Sequence, residues 1–236
     1  MTAAPVHRRK PGGGGENELR RQIVSVYREI DRRGLIAGSS GNVSHRTPDG
    51  MLITPSGCSA ATLTPTGVVA MALQGAVQGG AAPSSEWAMH AAIYLTYPAA
   101  RCIVHTHADA CTALACLNER LPPFHYVIAN FGGDDVRCAP YATFGTPELA
   151  RLAVAALEGR TACLLANHGM IVHAPTADQA LTAATVLETL CRQYLLARAA
   201  GTVRLLTTDE MRAAHQRYRT YGQPTPAPRA VTSPRC

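Results

Sequence analysis

The run Cys102-Ile103-Val104-His105-Thr106-His107 constrains the fold of this chain more than any other stretch. It reads as a strand, and alternate side chains of a strand share a face, so both imidazoles point the same way. Two candidate metal ligands are thereby fixed by one element. Just upstream, Pro83-Ser84-Ser85-Glu86 precedes the apolar-periodic residues Met89, Ile93 and Tyr94. That order predicts a helix start with serine capping and an acid in the first turn.

The flanking segments predict a mixed architecture. Residues 1–15, ending in Pro-Gly-Gly-Gly-Gly, read as a flexible leader, residues 16–222 as one domain, and 223–236 as a disordered proline-rich tail. Leu19, Ile23, Val26, Tyr27 and Ile30 recur at helical spacing, and Gly34 is placed to stop that helix. From Ser39 two short strands joined by a turn are expected, then a strand pair around Gly75, then the helix ended by Tyr97-Pro98. Beyond the His-containing strand come a buried helix over 108–117, a loop with His125 and Tyr126, strand and turn over 132–141, and a helix opened by Pro147. Two apolar strands flank Asn167-His168-Gly169, which puts His168 at a hairpin tip, and helices over 177–199 and near 209–219 close the chain. Strands and helices alternate irregularly, with hairpins among them. The predicted class is mixed α/β (α+β), a central, mostly antiparallel sheet flanked by helices.

Charge and composition exclude several functions. Of 22 basic residues, five lie in the leader and tail, which hold no acid, so residues 16–222 carry 17 basic against 16 acidic groups. No stripe remains to track a phosphate backbone, and nucleic-acid binding is not expected. The single lysine, Lys10, lies in the leader, which removes Schiff-base chemistry and a Walker-type loop. No GxGxxG opens a helix after a strand. Eight cysteines form no CxxC pair and read as buried thiols of a reducing compartment. With neither an apolar signal core nor a run of eighteen apolar residues, the expectation is a cytoplasmic protein without a membrane partner. Sparse charge, 16% of residues, points to surface hidden between subunits.

Nine histidines occur, and His7, His45, His90, His173 and His215 read as ordinary surface or core residues. His168 is the best third partner for His105 and His107. Three imidazoles leave one position of a tetrahedral ion open, as in a catalytic zinc site. Glu86 is an acid at a helix mouth, a placement with a routine dipole explanation, but it stands between serines and the metal pair and so is also a candidate base. Gly41, Asn42, Ser56 and Gly57 stand at strand ends, where they are either ordinary turn residues or a place where backbone N–H groups form an anion nest without a lysine, and alone they decide nothing.

Taken in order, Ser40-Gly41-Asn42-Val43-Ser44, Ile53-Thr54-Pro55-Ser56-Gly57, Pro83-Ser84-Ser85-Glu86-Trp87, His105-Thr106-His107, His125-Tyr126, 139–146 (APYATFGT), Asn167-His168-Gly169 and Thr220-Tyr221-Gly222 resemble the L-fuculose-phosphate aldolase group of the class II aldolase/adducin family. The likeness runs from about Glu18 to Gly222. It implies Zn2+ held by His105, His107 and His168, with Glu86 as the base that also reaches the metal when substrate is absent. Gly41, Asn42, Ser56, Gly57, Ser84 and Ser85 would hold the phosphate of dihydroxyacetone phosphate. Tyr126, from a neighbouring subunit of a four-fold homotetramer, would protonate the aldehyde oxygen, and Phe144 and Tyr221 would wall the aldehyde end. Ser56 stands where threonine is usual, and Tyr218 where an aromatic without a hydroxyl is usual. The implied activity is reversible cleavage of L-fuculose 1-phosphate, or a close analogue, to dihydroxyacetone phosphate and a short aldehyde such as L-lactaldehyde. The alternatives are an aldolase for 5-deoxyribulose or 5-methylthioribulose 1-phosphate, and a family dehydratase or decarboxylase. A non-catalytic adducin-like domain has no use for the ligands.

Overall fold

The computed structural model describes residues 13–221. Residues 1–12 of the expected 1–15 leader and all of the expected tail fall outside the described residues, whereas residues 13–15 open the first helix. One sheet organises the rest: β1 (Asn42–Thr47), β2 (Gly50–Ile53), β3 (Val69–Met71), β4 (Val77–Gln78), β5 (Cys102–Thr106), β6 (Cys138–Ala139), β7 (Ala162–Leu165) and β8 (Gly169–Ala174). Their spatial order is β4-β3-β2-β1-β5-β8-β7-β6. All pairings are antiparallel except β6 with β7. The mixed, mostly antiparallel class read from the sequence is the observed one.

Helices cover both faces. They are α1 (Gly13–Arg32), α2 (Trp87–Thr96), α3 (Asp109–Cys116), α4 (Pro147–Ala156), α5 (Ala177–Ala200) and α6 (Thr208–Tyr218). Strand β5 lies near the middle with every residue buried. Its Cys102 and Val104 join the core beneath α1, α3, α5 and α6, whereas Ile103 joins the core beneath α2 and α4. Alternation therefore works as the sequence implied, and it turns His105 toward the α2 side. Fully burying a side chain such as Val104 contributes about 1.5–3 kcal/mol, which holds this strand, and the ligands on it, in register.

Caps fix the helix starts. Thr146 and Thr176 accept from the N–H groups of Leu149 and Gln179, and Thr207 with Glu210 forms a reciprocal capping box. Helix α3 has no side-chain cap of its own. The Glu188 carboxylate, from α5, accepts instead from Ala110 and Cys111, each at 2.9 Å. Directly after the His-containing strand, the chain is thus clamped to the long helix.

Two expectations need correction. Helix α2 begins at Trp87, so Glu86 is its N-cap residue rather than a first-turn acid, and no side chain caps the helix. The Ser84 hydroxyl bonds to the Glu86 N–H at 3.3 Å and makes a turn before the helix, because the Pro55–Pro83 bridge has already tied residues 54–56 to 82–84. The strand expected over 132–141 is reduced to two residues. A 3₁₀ turn over Tyr126–Phe131, capped by Gly132 at φ 96°, occupies the approach to it.

Candidate active site

A cleft of about 270 Å³ opens on the α2 side of the sheet. Strand pairing explains its location. Asn42 is the cross-strand partner of His105 on β1, and Thr106 pairs with Met170, one residue into β8 from the hairpin that carries His168. The hairpin tip is tight, with Asn167 in the left-handed region at φ 54°, a conformation asparagine tolerates. A Cβ on Gly169 would stand 2.3 Å from the Thr106 carbonyl oxygen and 3.1 Å from His107 Cδ2, so only glycine lets β8 approach β5 here.

His105, His107 and His168 converge. Their ring centroids are 4.8–4.9 Å apart, with interplanar angles of 73–74°, and their candidate ligand nitrogens lie within 4.8 Å of one another. His105 Nδ1 donates to the Met170 carbonyl at 2.9 Å, which leaves Nε2 as a bare lone pair. That nitrogen stands 3.0 Å from His107 Nε2, close to the roughly 3.4 Å separating two donors about 2.1 Å from one tetrahedral ion. Burial is the first cause holding all three imidazoles below the usual histidine range. Mutual repulsion adds to it for His105 and for His168, which is lowered to about 4. Neutral imidazoles with a fixed tautomer and a carbonyl behind one ring suit a divalent metal ion, and the residues present fit one.

Glu86 lines the same cleft and is 5% exposed. Its Oε1 accepts from the Gly145 N–H at 2.9 Å, whereas Oε2 has no partner among the protein's groups. Burial pushes its carboxyl up, and the Gly145 N–H opposes that. The structure therefore puts Glu86, with one carboxylate oxygen unpaired, in the lining of the cleft that the three imidazoles share, an arrangement able to move a proton beside a polarised carbonyl.

Gly41, Asn42, Ser56, Gly57, Ser84 and Ser85 line the cleft together with Ser39, Ser40, Pro55 and Asn167. Gly41 has φ 77°, and a Cβ there would meet Ile36 at 2.7 Å and the His105 carbonyl oxygen at 2.8 Å, so the loop before β1 packs onto the His-containing strand. The expected nest of free N–H groups is reduced by the Pro55–Pro83 bridge. Ser56 and Ser84 donate their N–H groups to the Ala82 and Thr54 carbonyls at 3.0 Å, so those two residues offer hydroxyls instead. No lysine or arginine lines the cleft among the described residues.

Phe144, 65% exposed, lines the cleft with Tyr141 and Ala142. Tyr126 and Tyr221 are not among its lining residues. Tyr126 is 57% exposed, stacked on His125 at 4.8 Å and on Tyr218 at 6.3 Å, and Tyr218 stands 5.9 Å from Tyr221. These three tyrosines form an outer row separate from the chain's own cleft lining.

Among the histidines read as ordinary, His45 and His173 bond to the Arg46 and Arg160 carbonyls, and His215 pairs with Asp134 at 2.8 Å. His7 lies outside the described residues. His90 is fully buried, with Nδ1 2.7 Å from the Ser44 hydroxyl and Nε2 unpartnered. Sequence reasoning missed the Gly145 N–H as the support of Glu86 and the close approach of Gly169. The available signal was a glycine inside each quoted motif.

Residues 21–195 match the family model described as the class II aldolase and adducin N-terminal domain. The chain is 44% identical over 209 residues to a 5-methylthioribulose-1-phosphate/5-deoxyribulose-1-phosphate aldolase of Rhodospirillum rubrum, covering 89% of this chain and 95% of the relative. It is 42% identical over 207 residues to the L-fuculose phosphate aldolase of Escherichia coli, covering 87% and 96%. A solved L-fuculose 1-phosphate aldolase superposes with a TM-score of 0.82 at 36% identity, covering 86% of this chain and 96% of that one.

Proposed function

The chain belongs to the class II aldolase and adducin N-terminal domain family as an aldolase, and we propose that it cleaves a 1-phosphoketose reversibly to dihydroxyacetone phosphate and a short aldehyde whose far end is apolar. One observation carries the reading: the buried Glu86 lines a cleft with three converging neutral imidazoles and a wall of hydroxyls.

His105, His107 and His168 would hold the metal, with zinc favoured by an all-imidazole set. When bound, the ion supplies a Lewis acid for the substrate's carbonyl and neighbouring hydroxyl oxygens. The Ser56, Ser84 and Ser85 hydroxyls, with Gly41, Asn42 and Gly57, receive the phosphate. In the synthetic direction Glu86 takes the proton from C3 of dihydroxyacetone phosphate, and the electron pair left there forms the C3–C4 bond to the aldehyde carbon. The aldehyde oxygen takes a proton from Tyr126, and cleavage is the reverse of these steps. Because Tyr126 lies in the exposed row outside its own cleft, it serves a neighbouring subunit's site. The proposed assembly is a homotetramer with sites at subunit interfaces, with Tyr221 completing the aldehyde wall begun by Phe144. Among the described residues no helix is long and apolar enough to cross a membrane; a cytoplasmic location is part of the proposal.

L-fuculose 1-phosphate is the first candidate substrate. The 44% identity to the Rhodospirillum rubrum aldolase favours 5-methylthioribulose and 5-deoxyribulose 1-phosphates as the second reading. A coupled assay for dihydroxyacetone phosphate over the three ketoses separates them by kcat/KM. If none of the three releases dihydroxyacetone phosphate, a family dehydratase or decarboxylase reading replaces this one.

A further inference from the structure

Glu86, the N-cap residue of α2, and His90 and Tyr94 within the helix follow at four-residue intervals, so the three fall on one side of it. Beneath them β1 presents Ser44, whose cross-strand partner is Ile103, two residues before His105. A hydrogen-bonded chain joins these layers. His90 Nδ1 is 2.7 Å from Ser44 Oγ, Ser44 Oγ is 2.8 Å from Tyr94 Oη, and the Tyr94 hydroxyl donates to the Arg101 carbonyl at 3.3 Å.

The last link sets the polarity of the others. A carbonyl oxygen only accepts, so Tyr94 spends its single proton there, Ser44 donates to Tyr94, and His90 Nδ1–H donates to Ser44. His90 Nε2 is then a bare acceptor. It is buried, at 0% exposure, and has no partner among the protein's groups. One helical turn earlier, Glu86 Oε2 is likewise buried and unpartnered, and it too is an acceptor. The two acceptors lie one turn apart on one face, and leaving each unmade costs about 1–3 kcal/mol. A water molecule has two hydrogens and satisfies both.

We propose that His90 is a positioning residue for Glu86, acting through one water that donates one hydrogen to His90 Nε2 and the other to Glu86 Oε2. With Gly145 holding Oε1, that water fixes the plane of the carboxylate. His90 touches no substrate atom. The inference deepens the reading of Glu86 as the base and rests on it.

The test compares His90→Leu, which removes the acceptor, with His90→Gln, which can restore one. Metal content, melting temperature, the KM for the ketose phosphate and solvent exchange of the C3 proton of dihydroxyacetone phosphate are measured for each. Loss of positioning lowers exchange and kcat about 10- to 100-fold in His90→Leu, with KM and metal content within threefold of wild type, while His90→Gln recovers most of the rate. A merely structural role would move stability in both variants and leave the rate per metal-loaded site unchanged, and that result overturns the proposal. Should His90→Leu fail to fold, Ser44→Ala, which unseats the imidazole, is required to give the same split. A crystal structure of the wild-type protein is expected to place a water within about 2.7–3.2 Å of both atoms; a structure in which both atoms remain unbridged also overturns it. Wild-type exchange is the control: its absence refutes Glu86 as the base, whereas its presence together with an unimpaired His90→Leu refutes only the role of His90.

Discussion

Replacing Gly169 with alanine adds one methyl group to a strand, yet it is expected to act on the metal site. The new Cβ would stand 2.3 Å from the Thr106 carbonyl oxygen, 3.1 Å from His107 Cδ2 and 3.2 Å from His107 Cα. Cβ contacts below 3.0 Å essentially never occur, so β8 and the end of β5 must separate by roughly 0.7 Å at that point. The closest obstacle is backbone and cannot swing aside. Overpacking of this kind costs about 1–3 kcal/mol, which for a chain of this size lowers the melting temperature by about 2–12 °C. The displacement falls on His107 and on the hairpin bearing His168, whereas ligand distances tolerate only about 0.2 Å. Metal affinity is expected to fall about 10- to 100-fold, the range seen when a ligand's supporting contacts are lost. Chelator competition measures that affinity, and thermal melts of the metal-free protein give the stability term separately. If Gly169→Ala binds metal within threefold of wild type and melts within about 1 °C of it, the argument from close approach is wrong.

Glu86→Gln is expected to abolish both cleavage and solvent exchange of the C3 proton of dihydroxyacetone phosphate, whereas Tyr126→Phe is expected to slow cleavage about 100-fold or more and leave exchange largely intact, as the proposed roles of Glu86 at C3 and Tyr126 at the aldehyde oxygen require. Equal loss of exchange in both variants would contradict these roles. Mixing the two inactive variants under conditions that exchange subunits should restore activity, because a mixed interface pairs an intact Glu86 with an intact Tyr126; no rescue after verified exchange would put both residues in one chain's site. Burial holds the His90 imidazole down to about 3, against about 6.5 in the unfolded chain. Between those values the unfolded state binds the extra proton, so stability falls as pH drops from about 6.5 toward 3, and urea unfolding of His90→Gln should show a pH slope shallower by up to one proton. An unchanged slope would show that His90 does not contribute.

The alternating strand Cys102–His107 and the hairpin tip at His168 were legible because each follows from a local period or a local turn. Residue order alone also placed Glu86 beside the site. What stayed hidden depended on long-range pairing. The Pro55–Pro83 bridge consumes the Ser56 and Ser84 N–H groups, a contact between segments 28 residues apart that no local pattern announces. Helix α2 starts one residue later than its acid suggested, because Ser84 is spent on a turn rather than a cap. His90 reads as an ordinary core histidine until Ser44 and Tyr94 are seen on either side of it.

The central claim is that Glu86 works on a substrate held beside a metal at His105, His107 and His168. Solvent exchange of the C3 proton of dihydroxyacetone phosphate tests it without knowledge of the aldehyde. Followed in deuterated water, exchange is expected with zinc-loaded protein, lost on chelation, restored by about one equivalent of zinc per chain, and absent from His168→Ala at any zinc level. Exchange that persists in the metal-free protein, or in His168→Ala, would contradict the account.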